Sequence, residues 1–496
     1  MRHTLHACLI LSLVAAGSAY ALDAGEEALV GSIEALYGPE RMPAAPVSAP
    51  RAPESAQNIP ENMPHPEGAD HEPVLDPNAV HRGCGSALLR QAFNQWESLS
   101  PEAKARLQPL MDPPGGIAPN GSPAAPDSSW STAESAHFHV SWKASGDDAP
   151  PLADANGNHV PDYIDNALVY LEKAYDFEVK QLGFIPPPDG KEVIFFKKLN
   201  HNGLTHPMPG KKSWIELSSD ILGFTKRVLG KYYNPTVVSH DPAGPEAGLL
   251  KAVCAHEYFH AVQAQYSWGQ PAWWAEGTAD WMGNQVFPES GFYLNNVGPH
   301  LEQPYASLFL EGDFMQYSAS LFPTFISENL GASKVKDIWD AVKSTPLEQA
   351  LANNLGDLPE FYLNYACYNA VRNYKDGQRM PMPQMNSNED YPATLTPPAG
   401  REPQYYGASI FRLVPRRPGT LHVEFAPADR GDVRARLIII DRGNTTWNIS
   451  RVRAGADRRL VADVQGFGDQ YSQVLVVVGS FSPNAKGHFD LKVDVR

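Results

Sequence analysis

Two helical segments separated by a short break place the strongest constraint on the fold of this chain. The first is predicted to begin at Pro245, because proline is well tolerated in the first turn of a helix. It carries an apolar stripe at helical spacing, formed by Leu249, Leu250 and Val253. Gly269 and Pro271 end this segment, and a second helix follows from Ala272 to about Pro288. We therefore treat the two segments as an antiparallel helix pair.

The first helix carries two histidines with a glutamate between them, in the segment His256-Glu257-Tyr258-Phe259-His260. Histidines at positions i and i+4 share one face of a helix and can reach a single ion. Zinc binds neutral imidazoles in tetrahedral geometry, and the intervening glutamate can reach a water on the metal. The alternative is a helix whose histidines only pack or face solvent. The buried stripe and the clear helix boundaries favour the zinc site.

The spacing of acidic residues in the second helix places them beside the histidines. If the chain turns near Trp268, His260 lies eight residues before the turn and Glu276 eight residues after it. At a rise of about 1.5 Å per residue, these two positions lie at the same height. His256 and Asp280, each twelve residues from the turn, match at the next level. We predict Glu276 as the third metal ligand and Asp280 as a hydrogen-bond acceptor for His256, with an ordinary surface Glu/Asp pair as the alternative.

These residues resemble the zinc site of the gluzincin metallopeptidases, the thermolysin-like group with a histidine pair and a downstream glutamate. The sequence is more similar still to exported bacterial peptidases in which His-Glu-x-x-His is followed by Trp-x-x-Glu-Gly, here beginning at Trp273. The likeness covers the layout from about residue 137 to residue 372. The spacing from His260 to Glu276 is shorter than in the best-known gluzincins. This difference bears on the assignment of a subfamily and of the substrate pocket more than on the metal site.

The resemblance implies a gluzincin-like α+β catalytic region in which Zn²⁺ has three protein ligands and one position for water. Glu257 would act as general base, taking a proton from this water and passing it to the leaving amine. Such enzymes also use a side chain to stabilise the oxyanion of the tetrahedral intermediate. Tyr317 is our candidate, Tyr305 and His300 are alternatives, and a purely structural Tyr317 stays open.

The N-terminus has the pattern of a signal peptide. Arg2 supplies a positive charge, Leu9 to Ala16 form a short apolar run, and Ala19-Tyr20-Ala21 is a small-x-small cleavage site. The run is too short to cross a hydrocarbon layer roughly 30 Å thick, which disfavours a membrane anchor. We predict export to the periplasm or the medium with residues 1–21 removed, and no transmembrane segment.

The next region, residues 22–130, is predicted to be a largely disordered prosegment with short helices. Proline, alanine and charged residues crowd positions 38–78, and proline, glycine and serine crowd positions 113–129. Between these stretches, helical spacing predicts one helix from Ala87 to Trp96 and a second starting at Ser100. Processing is expected between Asn120 and Ala136, just ahead of the first predicted strand.

The remaining residues are predicted to form two structured regions. In residues 131–395 strands come first and helices follow, which is typical of the α+β class. The predicted strands are Phe138–Trp142, Val193–Phe196 and Trp214–Leu217. Residues 396–496 contain short alternating strands separated by Gly, Asp and Asn turns, which favours a C-terminal β-sandwich.

A second ion site is predicted in the loop from residue 154 to residue 165. Its oxygen ligands resemble the spacing of EF-hand and dockerin calcium loops: Asp154, Asn156, Asn158, the Val160 carbonyl, Asp162 and Asp165. The loop departs from that pattern at His159, where a glycine is usual, and at its last position, where Asp replaces Glu. An Asx-rich turn that caps the following helix is the alternative.

Charge and cysteine content limit the partners and the covalent links. A formal net charge of −16 argues against nucleic acid and anionic membranes, which both select basic surfaces. Signal removal leaves Cys84, Cys254 and Cys367. We favour a Cys254–Cys367 disulfide, with three buried thiols as the alternative. Cys84 is followed by a glycine, a short context similar to that of the latency thiols that cover the zinc in some zinc peptidase prosegments. For Cys84, a disulfide with either remaining cysteine is favoured over this role.

Together these features predict an exported, monomeric zinc endopeptidase that acts on protein or peptide substrates. The main alternative is a non-catalytic surface adhesion or binding protein stabilised by zinc and calcium. A zinc hydrolase acting on a non-peptide amide is a third hypothesis. Glu257 favours catalysis, because a purely structural zinc site does not need a carboxylate beside an open metal position.

Overall fold

The computed structural model of the chain describes residues 24–37, 85–118, 120–188, 190–230, 233–311, 314–427, 431–443, 447–450, 459–483 and 487–496. In this part of the chain, no helix has the length and apolar character needed to cross a membrane. The predicted signal peptide, residues 38–78 and Cys84 lie outside the described residues.

The described α-helices are α1 (Ala24–Tyr37), α2 (Ser86–Gln95), α3 (Pro101–Met111), α4 (Asp162–Tyr175), α5 (Ile221–Leu229), α6 (Pro235–Val238), α7 (Pro245–Gln263), α8 (Ala272–Val286), α9 (Gly298–Glu302), α10 (Met315–Ser318), α11 (Leu321–Leu330), α12 (Ala332–Ala341), α13 (Leu347–Leu355) and α14 (Leu358–Val371). The described strands are β1 (Trp130–Glu134), β2 (Phe138–Lys143), β3 (Glu192–Lys197), β4 (Gly203–Met208), β5 (Lys212–Ser218), β6 (Asn386–Asn388), β7 (Ala393–Leu395), β8 (Gly407–Leu413), β9 (Gly419–Pro427), β10 (Val433–Asp441), β11 (Trp447–Ser450), β12 (Leu460–Phe467), β13 (Tyr471–Ser480) and β14 (Phe489–Val495).

A five-stranded mixed sheet supports the central region. Its order is β1-β2-β3-β5-β4, with β2, β3 and β5 parallel and the edge strands β1 and β4 antiparallel to their neighbours. Parallel neighbours need a crossover, and α4 provides it between β2 and β3. The three strands predicted in this region correspond to β2, β3 and β5. The edge strands β1 and β4 were not predicted, because β1 is largely polar and β4 contains His206 and Pro207.

The predicted antiparallel helix pair is present as α7 and α8, which start at Pro245 and Ala272. α7 is buried along most of its length because α4, strands β4 and β5, and α8 all pack against it. Gly283 permits the close approach of the pair, since an added Cβ there would lie 3.2 Å from the carbonyl oxygen of Ala252. This helix pair holds the candidate site.

The C-terminal strands share a second hydrophobic core. The inward residues of β8, β9, β10, β12, β13 and β14 pack together in one cluster. β13 is apolar on both faces, because Val474 and Val476 join this cluster while Leu475 and Val477 join the core of the helical region. The chain as a whole is α+β, as predicted.

The described N-terminal helices form a small unit of their own. Residues from α1, α2 and α3 make a separate hydrophobic cluster, in which Leu204 of β4 also takes part. The two predicted helices correspond to α2 and α3, and α1 was not predicted. β1 begins at Trp130 and pairs with β2, so the processing range predicted up to Ala136 extends too far into the sheet.

The predicted disulfide between Cys254 and Cys367 is wrong, because both residues are buried free thiols. Cys254 lies on α7 within the main core, where burial raises the pKa of its thiol. Cys367 lies on α14, where burial raises the pKa of its thiol to about 12 in spite of nearby Arg436. The helical setting of both residues was predicted correctly, and both side chains lie in the main hydrophobic core without being bonded to each other.

Candidate metal centre

α7 and α8 bring the three predicted metal ligands together. The Nε2 atoms of His256 and His260 lie 3.1 Å apart, and Glu276 Oε2 lies 3.4 Å and 3.3 Å from them, respectively. Among the residues that the structure describes, this is the one group of three His, Cys, Asp or Glu side chains with ligand atoms all within 4.8 Å of one another. The chain therefore contains a buried His-His-Glu group that could hold a metal ion.

The spacing of these three atoms fits a small tetrahedral ion. Zinc bonds to nitrogen and oxygen are about 2.0–2.1 Å long, so two ligands of a tetrahedral site lie about 3.3 Å apart. The observed separations of 3.1, 3.3 and 3.4 Å lie close to this value. Two imidazoles and one carboxylate suit zinc and other transition metals, whereas calcium takes six to eight oxygen ligands.

Both imidazoles are oriented by hydrogen bonds on the side away from this group. His256 Nδ1 lies 2.8 Å from Asp280 Oδ1, and His260 Nδ1 lies 2.9 Å from Gln263 Oε1. The amide of Gln263 is itself oriented, because its Nε2 donates to the Ala275 carbonyl. Since both partners of Nδ1 are acceptor oxygens, each Nδ1 carries the proton and each Nε2 lone pair faces the metal position. The contact between Asp280 and His256 is the one that the helix register predicted.

The two carboxylate oxygens of Glu276 have different partners. Oε2 faces the histidines, while Oε1 accepts a hydrogen bond of 3.3 Å from the Arg90 guanidinium. Burial opposes ionisation of this carboxyl, but the nearby imidazoles of His260 and His256 and the charge of Arg90 together lower its pKa well below the usual range. Glu276 is therefore ionised in the folded chain, as a metal ligand must be.

Glu257 lies between the two histidines on α7 and against the edge strand β4. Its Oε2 accepts hydrogen bonds from Thr205 Oγ1 at 2.8 Å and from Ser86 Oγ at 3.2 Å. Gly203 makes this approach possible, because an added Cβ would lie 2.6 Å from Glu257 Cγ. Oε1 has no hydrogen-bond partner among the described residues. The carboxylate is thus held through one oxygen, which leaves the other to accept a proton.

The three candidates for the oxyanion donor lie in different surroundings. Tyr317 is buried on α10, which packs against α8, and its ring lies 5.5 Å from that of Phe314. His300 lines one cavity beside β8, and Tyr305 lines a second cavity there. Ile410 of β8 lines both cavities. Burial lowers the pKa of His300 to about 4, so this side chain is neutral near pH 7. Of the three, Tyr317 stays the prediction for the oxyanion donor.

The predicted calcium loop is closed by hydrogen bonds among its own residues. Asp154 accepts hydrogen bonds from the backbone amides of residues 157, 158 and 159. The side-chain amides of Asn156 and Asn158 both donate to Asp165 Oδ2 at 2.9 Å, and Asp162 accepts from the amide of residue 155. His159 has φ 67°, so it adopts the left-handed turn usually taken by glycine. This bonding agrees with the Asx-rich turn, and calcium binding stays a prediction.

Several contacts of the site were absent from the sequence prediction. Gln263 had a local signal, because it lies three residues after His260 and therefore on the same helix face. Ser86, Arg90 and Thr205 had none, since they contact residues 52 to 186 positions away in the chain. Two of these three, Ser86 and Arg90, belong to α2 of the predicted prosegment.

Comparisons with known proteins leave the family open. No family model matches the chain, and no curated protein matches it. Among solved structures, a family GH115 4-O-methyl-α-glucuronidase with specificity for decorated arabinogalactans matches 56% of this chain and 32% of its own. The sequence identity is 9% and the TM-score 0.13, so this likeness carries no argument about fold or function.

Proposed function

We propose that this chain is an exported zinc-dependent endopeptidase of the gluzincin type, made as a precursor and active as a monomer on protein or peptide substrates. The observation that carries the proposal is the convergence of His256 Nε2, His260 Nε2 and Glu276 Oε2 beside the carboxylate of Glu257. The signal-peptide pattern supports export, and the C-terminal strands support the proposed β-sandwich.

The residues of the site would divide the reaction between them. His256, His260 and Glu276 would hold the zinc, which supplies Lewis acidity and lowers the pKa of water when it is bound. Glu257 would accept a proton from the attacking water and deliver it to the leaving amine, as its oxygen without a hydrogen-bond partner permits. Tyr317 is kept as the proposed donor to the oxyanion.

A non-catalytic protein with a structural zinc site is the second candidate function. Its support is the burial of the group, since His256 is 6% exposed and His260 and Glu276 are 0% exposed. A closed site is typical of structural zinc, whereas a catalytic site keeps one position open. Against this candidate, a structural site has four protein ligands, and the described residues supply three.

Zinc analysis combined with a proteome-derived peptide library tests the proposed function. We expect about one zinc per chain and cleavage of the library by protein from which the N-terminal region has been cut. A zinc chelator should stop cleavage, and added zinc should restore it. Mass spectrometry of the products would also report the cleavage preference. Full zinc content without cleavage by the cut protein would favour the structural site instead.

The calcium loop allows a separate test of stability. If the loop binds calcium, millimolar calcium should raise the melting temperature, because the ion binds the folded loop and not the unfolded chain. Asp165→Asn keeps a hydrogen-bond acceptor for Asn156 and Asn158 but removes a charge, so it should weaken this response. Asp147→Asn, an exposed change outside the loop, is the control. An unchanged melting temperature in the wild-type chain would leave the loop as an Asx-rich turn.

A further inference from the structure

The proposed catalytic residues are closed off from solvent by α2. Glu257 is 1% exposed, and Ser86 and Arg90 of α2, which contact the site, are 0% and 4% exposed. An endopeptidase must admit a protein chain to its metal and its general base. In the described arrangement, α2 occupies the space next to both.

α2 presents a polar face to the site. Ser86, Arg90 and Asn94 follow one another at intervals of four residues, which places them on one side of the helix. Ser86 donates to Glu257 Oε2, and Asn94 Nδ2 donates to the carbonyl of Trp268 at 3.1 Å. Arg90 donates to Glu276 Oε1 at 3.3 Å and to Gln263 Oε1 at 3.5 Å. One helix face therefore contacts the proposed base, a proposed ligand and the turn between α7 and α8.

Ser86 also connects α2 to the edge of the sheet. Its Oγ accepts a hydrogen bond of 2.8 Å from the backbone amide of Thr205 on β4. This amide lies on the open side of the edge strand, where no further strand of the described residues pairs with β4. α2 thus covers the edge strand and the metal group together.

The buried apolar side chains of α2 pack against the other N-terminal helices. Leu89 and Ala92 belong to the hydrophobic cluster of the three N-terminal helices, to which the sheet contributes Leu204. Towards the site, α2 makes hydrogen bonds and an ion pair, together with the contact with Leu204 and the ring contact between Phe93 and Trp268. Polar interfaces of this kind are typical of associations that open, whereas permanent interfaces are more apolar.

Building on the proposed function, we infer that α2 is an autoinhibitory cover. In the unprocessed chain Ser86 restrains the general base, Arg90 holds the free oxygen of Glu276, and the helix excludes substrate from the metal. Displacement of the N-terminal helices opens the site. This assignment gives the predicted prosegment a defined contact with the catalytic residues and does not require Cys84.

Two variants of the full-length chain test the cover. Ser86→Ala with Arg90→Ala removes the polar contacts to the site. Gly85→Phe leaves the polar groups in place, but a side chain there would collide with Leu36 and Leu204, because even a Cβ would lie 2.4 Å and 2.6 Å from their methyl groups. Lys104→Ala, a change at a partly exposed position on α3 of the same unit, is the matched control. A fourth protein carries a specific protease site inserted after Ala125 and is cut there, and its N-terminal fragment is then removed.

Two readouts are measured on the zinc-loaded proteins: turnover of library-derived peptides and the rate of zinc transfer to a chromogenic chelator. We expect both rates to rise about 10- to 100-fold in the two cover variants, because one loses a buried charge-assisted hydrogen bond of the closed state and the other introduces a steric clash into it. The cut protein should be the fastest, and Lys104→Ala should match the wild type. If the double variant binds zinc weakly because Glu276 has lost Arg90, the rates of Gly85→Phe, which keeps Arg90, test the cover instead.

The outcomes separate the cover from the proposed reaction. Equal rates of zinc transfer in the wild type, the cover variants and the cut protein would overturn the cover. Measurable turnover at the same rate in all of them would overturn it as well. Faster zinc transfer with no peptide cleavage in any form would support the cover and refute the peptidase proposal.

Discussion

Glu257→Gln should lower peptide hydrolysis by about 10²–10⁴-fold while the zinc content stays at that of the wild type. Glutamine has the shape of glutamate, and its side-chain oxygen can still accept the hydrogen bond from Thr205 Oγ1. It cannot take up a proton from water at neutral pH, so the reaction loses its base. The three proposed ligands are unchanged, so metal binding should be unaffected. The measurement is turnover by cut protein of the proteome-derived peptides, with zinc content determined on the same preparation.

The matched control for this experiment is Glu246→Gln, an identical change in the first turn of the same helix. It should leave both turnover and zinc content unchanged. If Glu257→Gln also retained wild-type turnover, the general base would be another group. If it lost zinc while staying folded, Glu257 would have to be counted among the groups that hold the ion.

Glu276→Ala should remove zinc from the chain, and activity with it. The substitution deletes the one carboxylate ligand in a group that otherwise consists of two imidazoles. It also leaves the buried Arg90 without its ion-pair partner, which costs about 3–5 kcal/mol of stability. Zinc content should be measured after dialysis against a competing chelator, and folding should be checked by circular dichroism. Full zinc content in a folded Glu276→Ala protein would contradict the assigned ligand set.

Two further changes separate lost coordination from lost stability. Glu276→Gln keeps an oxygen for the hydrogen bond from Arg90 but removes the charge, so it should fold better than the alanine variant and still bind zinc weakly. Asp280→Asn leaves one acceptor oxygen for two donors, His256 Nδ1 and Asn296 Nδ2, so it weakens the orientation of His256, and a loss of about 10- to 100-fold in affinity or rate is expected. Glu302→Ala, an exposed carboxylate change on α9, should have no effect on zinc.

The sequence was most informative where the chemistry depends on residues within one helix pair. The spacing of His256, His260, Glu276 and Asp280 was sufficient to predict which of them face each other, because the geometry of an α-helix is nearly invariant. The same argument could not reach Thr205, since its contact with Glu257 depends on how β4 lies against α7. Contacts between distant segments leave no periodic signal in one sequence.

The polar edge strands and the buried cysteines are two further features of the fold that the sequence pattern did not predict. β2, β3 and β5 are apolar enough to be recognised, whereas β4 carries Gly203, His206 and Pro207 and looks like a loop. Cys254 and Cys367 were correctly placed on helices, but two helical cysteines form a disulfide only when their side chains point at each other. That condition depends on packing, which local patterning does not report.

The separation in sequence of the covering contacts has a consequence for how the ion is acquired. His260 lies 4 residues from His256 and 16 from Glu276, whereas Ser86 is 171 residues from Glu257 and Arg90 is 186 from Glu276. Short-range contacts form earlier in folding, because closing a long loop costs more entropy. The helix pair should therefore assemble while α2 is still undocked. We expect a folding intermediate in which the three ligands are assembled and accessible, so that the ion binds at this stage. Docking of α2 in a later step then buries the bound ion.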